Sequence, residues 1–264
     1  MKLWHFAVWC SAIGLGLTAC SESKSTENKI ASAPAAPTVY RVATDPTYPP
    51  FEFAGEQGKM QGLDIDILTA IAKNQQFEIQ FYTQKWDVLL NELPSNRADM
   101  VTGALIASDI NSEQVALSEP YMQSKNCVAS IATTPPDNWQ GNSSIAIANN
   151  ESLHQRLIAQ YGVQESQLQR HATPFAALKA VVGKEANVIV SDCAVLSYHM
   201  TSNMFKSYPL KRLALANQSD ADINLVFAVN PQQPELLAKI NAGIQQIKQN
   251  GELKRILHKW YIQP

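Results

Sequence analysis

The sequence lacks any run of basic residues and is balanced in sign. Its 264 residues hold 21 Lys and Arg against 23 Asp and Glu, a formal net charge of −2, which argues against nucleic acid as a partner. Histidines are few, and His154, His171 and His199 show no ligand spacing such as H-x-x-x-H, so no metal and no cofactor are expected. There is no internal repeat, and no low-complexity segment beyond Ser21–Pro37. The apolar run Leu3–Gly16 is too short, and too soon followed by polar residues, for a comfortable membrane span. Cysteine is scarce at four. What remains is 45% apolar, which describes a soluble globular chain long enough for one large or two small domains.

At the N-terminus, Met1-Lys2 and the apolar run have the form of an export signal. Leu17-Thr18-Ala19-Cys20 resembles a bacterial lipobox. That resemblance implies a signal peptide over 1–19, acylation of Cys20, and a lipid anchor in a bacterial membrane. Ser21 after the cysteine slightly favours the outer membrane. Residues 20–37, rich in Ser, Ala, Pro, Lys and Glu, read as a flexible tether. Cys127 and Cys193 are then the remaining cysteines, and in an oxidising compartment two buried thiols either pair or sit inert.

The chain is organised around Val42–Asp66. A short apolar run leads into Tyr48-Pro49-Pro50, a rigid turn lacking two amide donors. Phe51 and Phe53 alternate with Glu52, a strand pattern that buries one aromatic face. Gly55, Gly58 and Gly62 mark a hairpin and its exit. Such a turn can present the Asp45 carboxylate and the Tyr48 ring to a ligand.

Helical spacing then covers Leu63–Lys73, a strand Phe77–Tyr82, a short helix Trp86–Leu93 and a strand Ala98–Thr102. This strand–helix alternation predicts an α/β fold with a largely parallel sheet. After Val115–Tyr121, Val128–Thr133 and the break at Pro135-Pro136, a second α/β block follows. It has strands at Ser144–Ala148 and Ala186–Ser191 and helices at Ser152–Tyr161, Phe175–Val182 and from Ala194. Leu225–Val229 is one more strand. Pro234–Asn250 and Glu252–Tyr261 are amphipathic helices parted at Gly251.

Several stretches in this order resemble solute-binding proteins of family 3, the periplasmic amino-acid receptors of ABC importers. They are the aromatic-Pro-Phe-Glu-Phe hairpin with Gly62-Leu63-Asp64-Ile65-Asp66, and Trp86-Asp87 with Arg97-Ala98-Asp99. Ser118-Glu119-Pro120-Tyr121, Val190-Ser191-Asp192 and the C-terminal Gly251-Glu252-Leu253…Lys259-Trp260-Tyr261 continue the match. The resemblance implies a two-lobed type II periplasmic-binding-protein fold, each lobe a mixed, mostly parallel sheet flanked by helices, joined by two crossing hinge strands. Lobe 1 would be 38–122 and 224–264, and lobe 2 would be 123–223. Ligand would lie between them.

The same resemblance proposes the site and shows where this chain departs from it. The arginine that grips a ligand α-carboxylate in typical relatives is missing: Ile110 or Asn111 stands there, depending on how the loop is counted. Asp192 matches the aspartate that receives the ligand ammonium, and it equally suits the N-cap of the following helix. Where many relatives have Gly-Thr-Thr, this chain has Asn149-Asn150-Glu151, with Glu151 facing either the cleft or the surface. The implied ligand-binding set is Asp45, Tyr48, Trp86, Thr102, Gly103, Ser108, Asn111, Asn150, Glu151 and Asp192. Acidic groups, aromatic walls and no arginine suit a cation, through charge pairing and cation–π contacts of ~0.5–2 kcal/mol each. A polar amino acid held by backbone amides, Ser108 and Asn111 is the alternative ligand.

The resulting expectation is a non-enzymatic, monomeric solute-binding lipoprotein that captures a small amino acid or amine for an ABC permease. One alternative is an outer-membrane-tethered sensor or accessory protein reusing the fold. The other is an enzyme similar to cyclohexadienyl dehydratases with Glu151 as acid, which the missing arginine weakens.

Overall fold

The computed structural model describes residues 37–131, 136–141 and 143–260. The expected signal peptide, the acylation site Cys20 and all of the tether but Pro37 lie outside these residues, as do Thr133 and Tyr261. In the first half, β1 is Val39–Thr44, β2 Thr47–Tyr48, β3 Glu52–Ala54, β4 Met60–Gln61, α1 Leu63–Asn74 and β5 Glu78–Thr83. These are followed by α2 (Trp86–Leu89), β6 (Met100–Ile106), β7 (Ala116–Leu117) and β8 (Met122–Gln123). The second block holds β9 (Asn126–Ile131), β10 (Ile145–Ala148), α3 (Glu151–Tyr161), β11 (Leu168–His171) and α4 (Pro174–Val182). It continues through β12 (Val188–Asp192), α5 (Cys193–Thr201) and β13 (Leu210–Ala214). The chain closes with β14 (Asn224–Val229), α6 (Pro234–Gln249) and α7 (Glu252–Lys259).

Two mixed sheets carry the molecule. The first runs β5-β1-β6-β14-β7, with β8 also on β14; β1 is parallel to β5 and β6, and β14 is antiparallel to β6. The second runs β11-β10-β12-β9-β13, parallel at β11-β10-β12 and antiparallel beyond. Both are covered on two faces, so neighbouring residues of a central strand enter different cores. Val42, Met100 and Phe227 pack on the side of α1 and α6, whereas Ala43, Val101 and Ala228 pack with Leu89 and Leu93. In the second sheet Ile189 joins the α4 side and Val188 and Val190 the α3 side. Strands buried on both faces read as continuous apolar runs, which is why β12 and β14 are legible in sequence. β11 and β13 are not: they are the two edges of their sheet, and Leu168-Gln169-Arg170-His171 and Leu210-Lys211-Arg212 carry the polar residues that protect an edge.

The chain passes between the sheets at Gln123–Asn126 and again at Ala214–Asn224. The two passages are tied side by side. Ser124 donates its amide to the Ile223 carbonyl (2.8 Å), Gln123 Nε2 donates to Asn224 Oδ1 (3.1 Å), and Gln218 both accepts from the Asn126 amide and donates to its carbonyl. Cys127 on β9 and Cys193 at the start of α5 form a disulfide, with Cα atoms 4.9 Å apart. Closing a loop of that length is worth about 4 kcal/mol in the chain-entropy model.

The hairpin corrects one reading of the sequence. The alternation predicts Phe51 and Phe53 inside and Glu52 outside. Phe51 is buried, but Phe53 is only partly so, and Glu52 is 1% exposed. Phe53 instead packs against Tyr198 and Trp260, with ring centroids 5.6 and 5.7 Å away. The hairpin packs against α1 and, through Phe53, against Tyr198 and Trp260, so both of its faces meet protein.

The hairpin reaches α1 through Gly62, whose φ of 143° is open to glycine, and a Cβ there would lie 2.0 Å from the Phe51 carbonyl oxygen. Gly62→Ala is therefore expected to destabilise the protein by more than about 1 kcal/mol, through backbone strain and displacement of the hairpin. Urea unfolding midpoints of the two proteins measure it, and an unchanged midpoint would contradict the packing described.

Candidate functional site

The hairpin, the start of α1, the middle of β6 and the start of α5 converge between the two sheets. At the centre is Asp64. It is fully buried and accepts hydrogen bonds from Thr102 Oγ1 (2.6 Å), the Ala104 amide (3.0 Å) and the Tyr121 hydroxyl (2.7 Å). To aim its amide at the carboxylate, Ala104 takes φ 48°, a conformation uncommon outside glycine, and the β6–β14 ladder slips in register between Val226 and Ala228. Burial raises the Asp64 pKa, while its donors, Thr102, Ala104, Tyr121 and the Gly103 amide, pull the other way.

Glu52 lies against this group. One of its oxygens, Oε2, is buried without a hydrogen-bond partner. Burial first, then the charges of Asp64, Asp45 and Asp192, raise its carboxyl well above the usual range. A Cβ built on Gly103 would touch the Trp86 ring at 3.1 Å and sit 3.8 Å from Glu52 Oε1. The glycine is what lets the indole, the carboxyl and the β6 backbone meet.

Asp192 comes from the other sheet. It caps α5, its Oδ1 accepting from the Ala194 amide at 2.7 Å and the Val195 amide at 3.4 Å, and Ser124 donates to it as well. Burial outweighs these donors and raises its pKa to about 6. The capping role and a place in the cleft therefore coincide. Tyr48 reaches across to the same strand end and hydrogen-bonds at Ser191 and the Asp192 backbone; burial and then the Asp192 charge raise its hydroxyl. Asp45 accepts from the Trp86 amide at 2.9 Å, which fixes the start of α2.

Asp45, Tyr48, Trp86, Thr102, Gly103 and Asp192 are thus gathered around Asp64 and Glu52. The remaining sequence candidates are engaged elsewhere. Ser108 is exposed and turned to Asp109, and the Asn111 side-chain Oδ1 accepts from the Glu113 amide. Asn150 caps α3 through the Leu153 amide. Glu151 is exposed, bonded to Gln155 (2.7 Å) and paired with Arg170 (2.8 Å), and these contacts hold its carboxyl down to about 2. The surface reading of Glu151 describes its position. Glu52 and Asp64 supply the acidity that sequence reasoning sought in Glu151. The period-two pattern placed Glu52 outside, and Asp64 read as one polar position of an amphipathic helix.

Further contacts join the two sheets around this centre. Asn149 Nδ2 donates to Asp87 Oδ1 at 3.3 Å, Phe53 meets Tyr198, and Ala194 and Val195 pack into the core beneath α1. Arg156 on α3 forms an ion pair with Asp109, in the turn after β6, and lies 3.7 Å from Asp222 on the return passage.

Comparison with known proteins places this geometry. A probable histidine-binding protein of Neisseria gonorrhoeae is 26% identical over 268 residues, covering 99% of this chain and 96% of that protein. An arginine-binding periplasmic protein of Mannheimia haemolytica is 26% identical over 219 residues, 83% of this chain and 90% of that protein. Among solved structures, an ancestral arginine-binding protein bound to arginine aligns with a TM-score of 0.71 at 23% identity, over 86% of this chain and 99% of that one. A Streptococcus pneumoniae ABC uptake transporter substrate-binding protein with bound histidine aligns at 0.74 and 19% identity, over 84% and 92%. These structural likenesses show the fold, a type II periplasmic-binding-protein architecture. The family of bacterial extracellular solute-binding proteins, family 3, matches residues 40–263, and the chain belongs to it.

Proposed function

We propose that the protein is a receptor for a small cationic amino acid or amine, which it captures between two lobes for delivery to an ABC importer. The observation that carries this reading is the set of carboxyls in the cleft, Asp45, Glu52, Asp64 and Asp192, where the family's carboxylate-gripping arginine has no counterpart. Trp86, 38% exposed beside Gly103, and Tyr48 supply aromatic faces for a positive group. Relatives named for histidine, arginine and cystine binding support an amino-acid-like ligand. Those relatives are binding proteins, so the reading is capture without turnover.

In this account lobe 1 is 38–122 and 224–264, lobe 2 is 123–223, and the paired passages between the sheets form the hinge. Ligand favours the closed arrangement only by binding it better than the open one. Tyr48, Asn149 and the Phe53–Tyr198 ring contact hold the lobes together at the mouth. Cys20 carries the lipid, and residues 20–37 let the receptor reach a permease from the periplasmic face of the membrane. No described helix is long and apolar enough to cross a membrane.

A thermal-shift panel tests the ligand class, because a compound that binds only the folded state raises the melting temperature by mass action. L-Arginine, L-lysine, putrescine and choline represent cations, and L-glutamine and L-serine represent neutral zwitterions. Cations are expected to give the larger shifts, and Asp192→Ala to weaken their binding by at least about thirtyfold in calorimetry. Micromolar binding of a neutral amino acid with none for the cations would contradict the reading.

Asp192 also predicts a pH dependence. Its folded pKa, about 6, lies above the ordinary aspartate value. Its contribution to stability is therefore fully present below about pH 4 and lost as pH rises through about 6, an effect of about 3 kcal/mol. Between pH 4 and 7 the ligand-free protein should lose more stability than Asp192→Asn does. Parallel pH profiles of chemical unfolding for the two proteins would contradict this.

A further inference from the structure

Glu52 is a cleft carboxyl whose Oε2 no donor of the protein reaches and whose side-chain hydrogen-bond neighbour is another carboxyl, Asp64. It is 1% exposed and its Oε2 has no partner. Its surroundings explain why that is costly. Asp64 on α1, Asp45 after β1 and Asp192 at the start of α5 are the charges that bear most on it, and all three are acidic. The phenols of Tyr48 and Tyr121 face the same space and are raised in part by Glu52 itself. The Trp86 ring, Leu89 and Gly103 make the remaining wall. Asp64 already takes donors from Thr102, Gly103, Ala104 and Tyr121, and Asp192 takes the first amides of α5.

An isolated carboxylate held this way in a low-dielectric site is strongly disfavoured, so the group neutralises itself unless a cation is supplied. Glu52 lies close enough to Asp64 to hold a hydrogen bond to it. Two carboxyls in such contact accept a single proton between them more readily than two negative charges. No three His, Cys, Asp or Glu side chains among the described residues converge in a way that would hold a metal ion. The geometry suits an organic cation flanked by an indole.

We propose that Glu52 is a cation-recognition residue of the cleft, and that the ligand's positive group replaces a proton that Glu52 holds in the free protein. This rests on the reading of the cleft as a cation receptor and adds a residue and an exchange to it. The balance is simple. Free protein carries Glu52 as the carboxylic acid; ligand arrives as an ammonium or guanidinium ion; the complex holds carboxylate and cation, and one proton leaves to solvent. The indole of Trp86 covers the cation, and Asp192 takes a second positive group of the same molecule. The preferred ligand therefore carries two cationic groups on one flexible stem, as basic amino acids and diamines do.

Calorimetry with L-arginine, L-lysine and putrescine, and with L-citrulline as the neutral isostere of arginine, tests this on the full protein. The titrations are run at pH 7.5 in two buffers of very different ionisation enthalpy. At that pH Asp192, with its pKa about 6, is largely ionised already, so a released proton reports on the Glu52–Asp64 pair, and the Glu52 variants assign it. Arginine or lysine is expected to bind at least about tenfold tighter than citrulline, and its binding heat to differ between buffers by the equivalent of about one proton. Glu52→Gln should abolish the proton release and collapse the preference over citrulline. Glu52→Asp, which keeps a carboxyl, should retain a measurable release and shows that loss in the first variant is not loss of folding.

Cation binding without proton release overturns the proposal, as does a Glu52→Gln protein that keeps its preference. If citrulline or another neutral amino acid binds and the cations do not, Glu52 has no such role while an amino-acid receptor remains. Absence of binding by all four probes removes both. Putrescine binding as tightly as arginine supports the exchange with a diamine as the ligand source; arginine alone supports it with a basic amino acid.

Discussion

The Asp64 carboxylate ties the hairpin, α1, β6 and the approach to the crossing passages into one polar knot, and the rest of the cleft is arranged around it. A buried carboxylate is tolerable when its lone pairs are filled, and Thr102, Ala104 and Tyr121 fill them. The arrangement has a backbone cost, seen in the left-handed conformation of Ala104 and the slipped ladder beside it. Glu52, beside Asp64, has that carboxyl as its side-chain hydrogen-bond neighbour and an Oε2 that no donor reaches. The Glu52 Oε2 is therefore unmatched within the protein, and that mismatch is what the proposed preference for a cation rests on.

The second sheet contributes the complementary half. Asp192 serves two purposes with one carboxyl: Oδ1 starts α5, and the group stands at the cleft between Tyr48 and the Glu52–Asp64 pair. The adjacent Cys193 is locked to Cys127 on β9, so the helix start is fixed covalently as well as by its cap. A positioned carboxyl on a rigid element discriminates ligands better than one on a loop. Arg156, outside the carboxyl cluster's own hydrogen bonds, pairs through Nη2 with Asp109 and lies with Nε 3.7 Å from Asp222, while its buried Nη1 has no partner.

Much of the fold was legible because its signals are local. Strands buried on both faces announce themselves as apolar runs, and α1, α3, α4 and α6 carry helical periodicity with recognisable ends such as Pro174, Pro234 and Gly251. The edge strands β11 and β13 were not legible, since their residues answer to solvent rather than to a core. Of the residues singled out in the sequence, Asp45, Tyr48, Trp86, Thr102, Gly103 and Asp192 stand around Asp64 and Glu52, while Ser108, Asn111, Asn150 and Glu151 hydrogen-bond to close neighbours. Glu52 escaped notice for a definite reason. Alternation assumes that a strand has one wet face, and a hairpin sandwiched between a sheet and a cleft has none.

The most direct measurement is the protonation state of the cleft carboxyls themselves, read by carbon-detected NMR of protein labelled at Glu and Asp side-chain carboxyls and assigned with Glu52→Gln and Asp192→Asn. In the free protein at pH 7, the Glu52 carboxyl is expected at the chemical shift of a protonated acid, and to move to that of a carboxylate when a cationic ligand is added. A Glu52 signal already at the carboxylate position in the free protein, titrating near the ordinary glutamate pKa, would contradict the account.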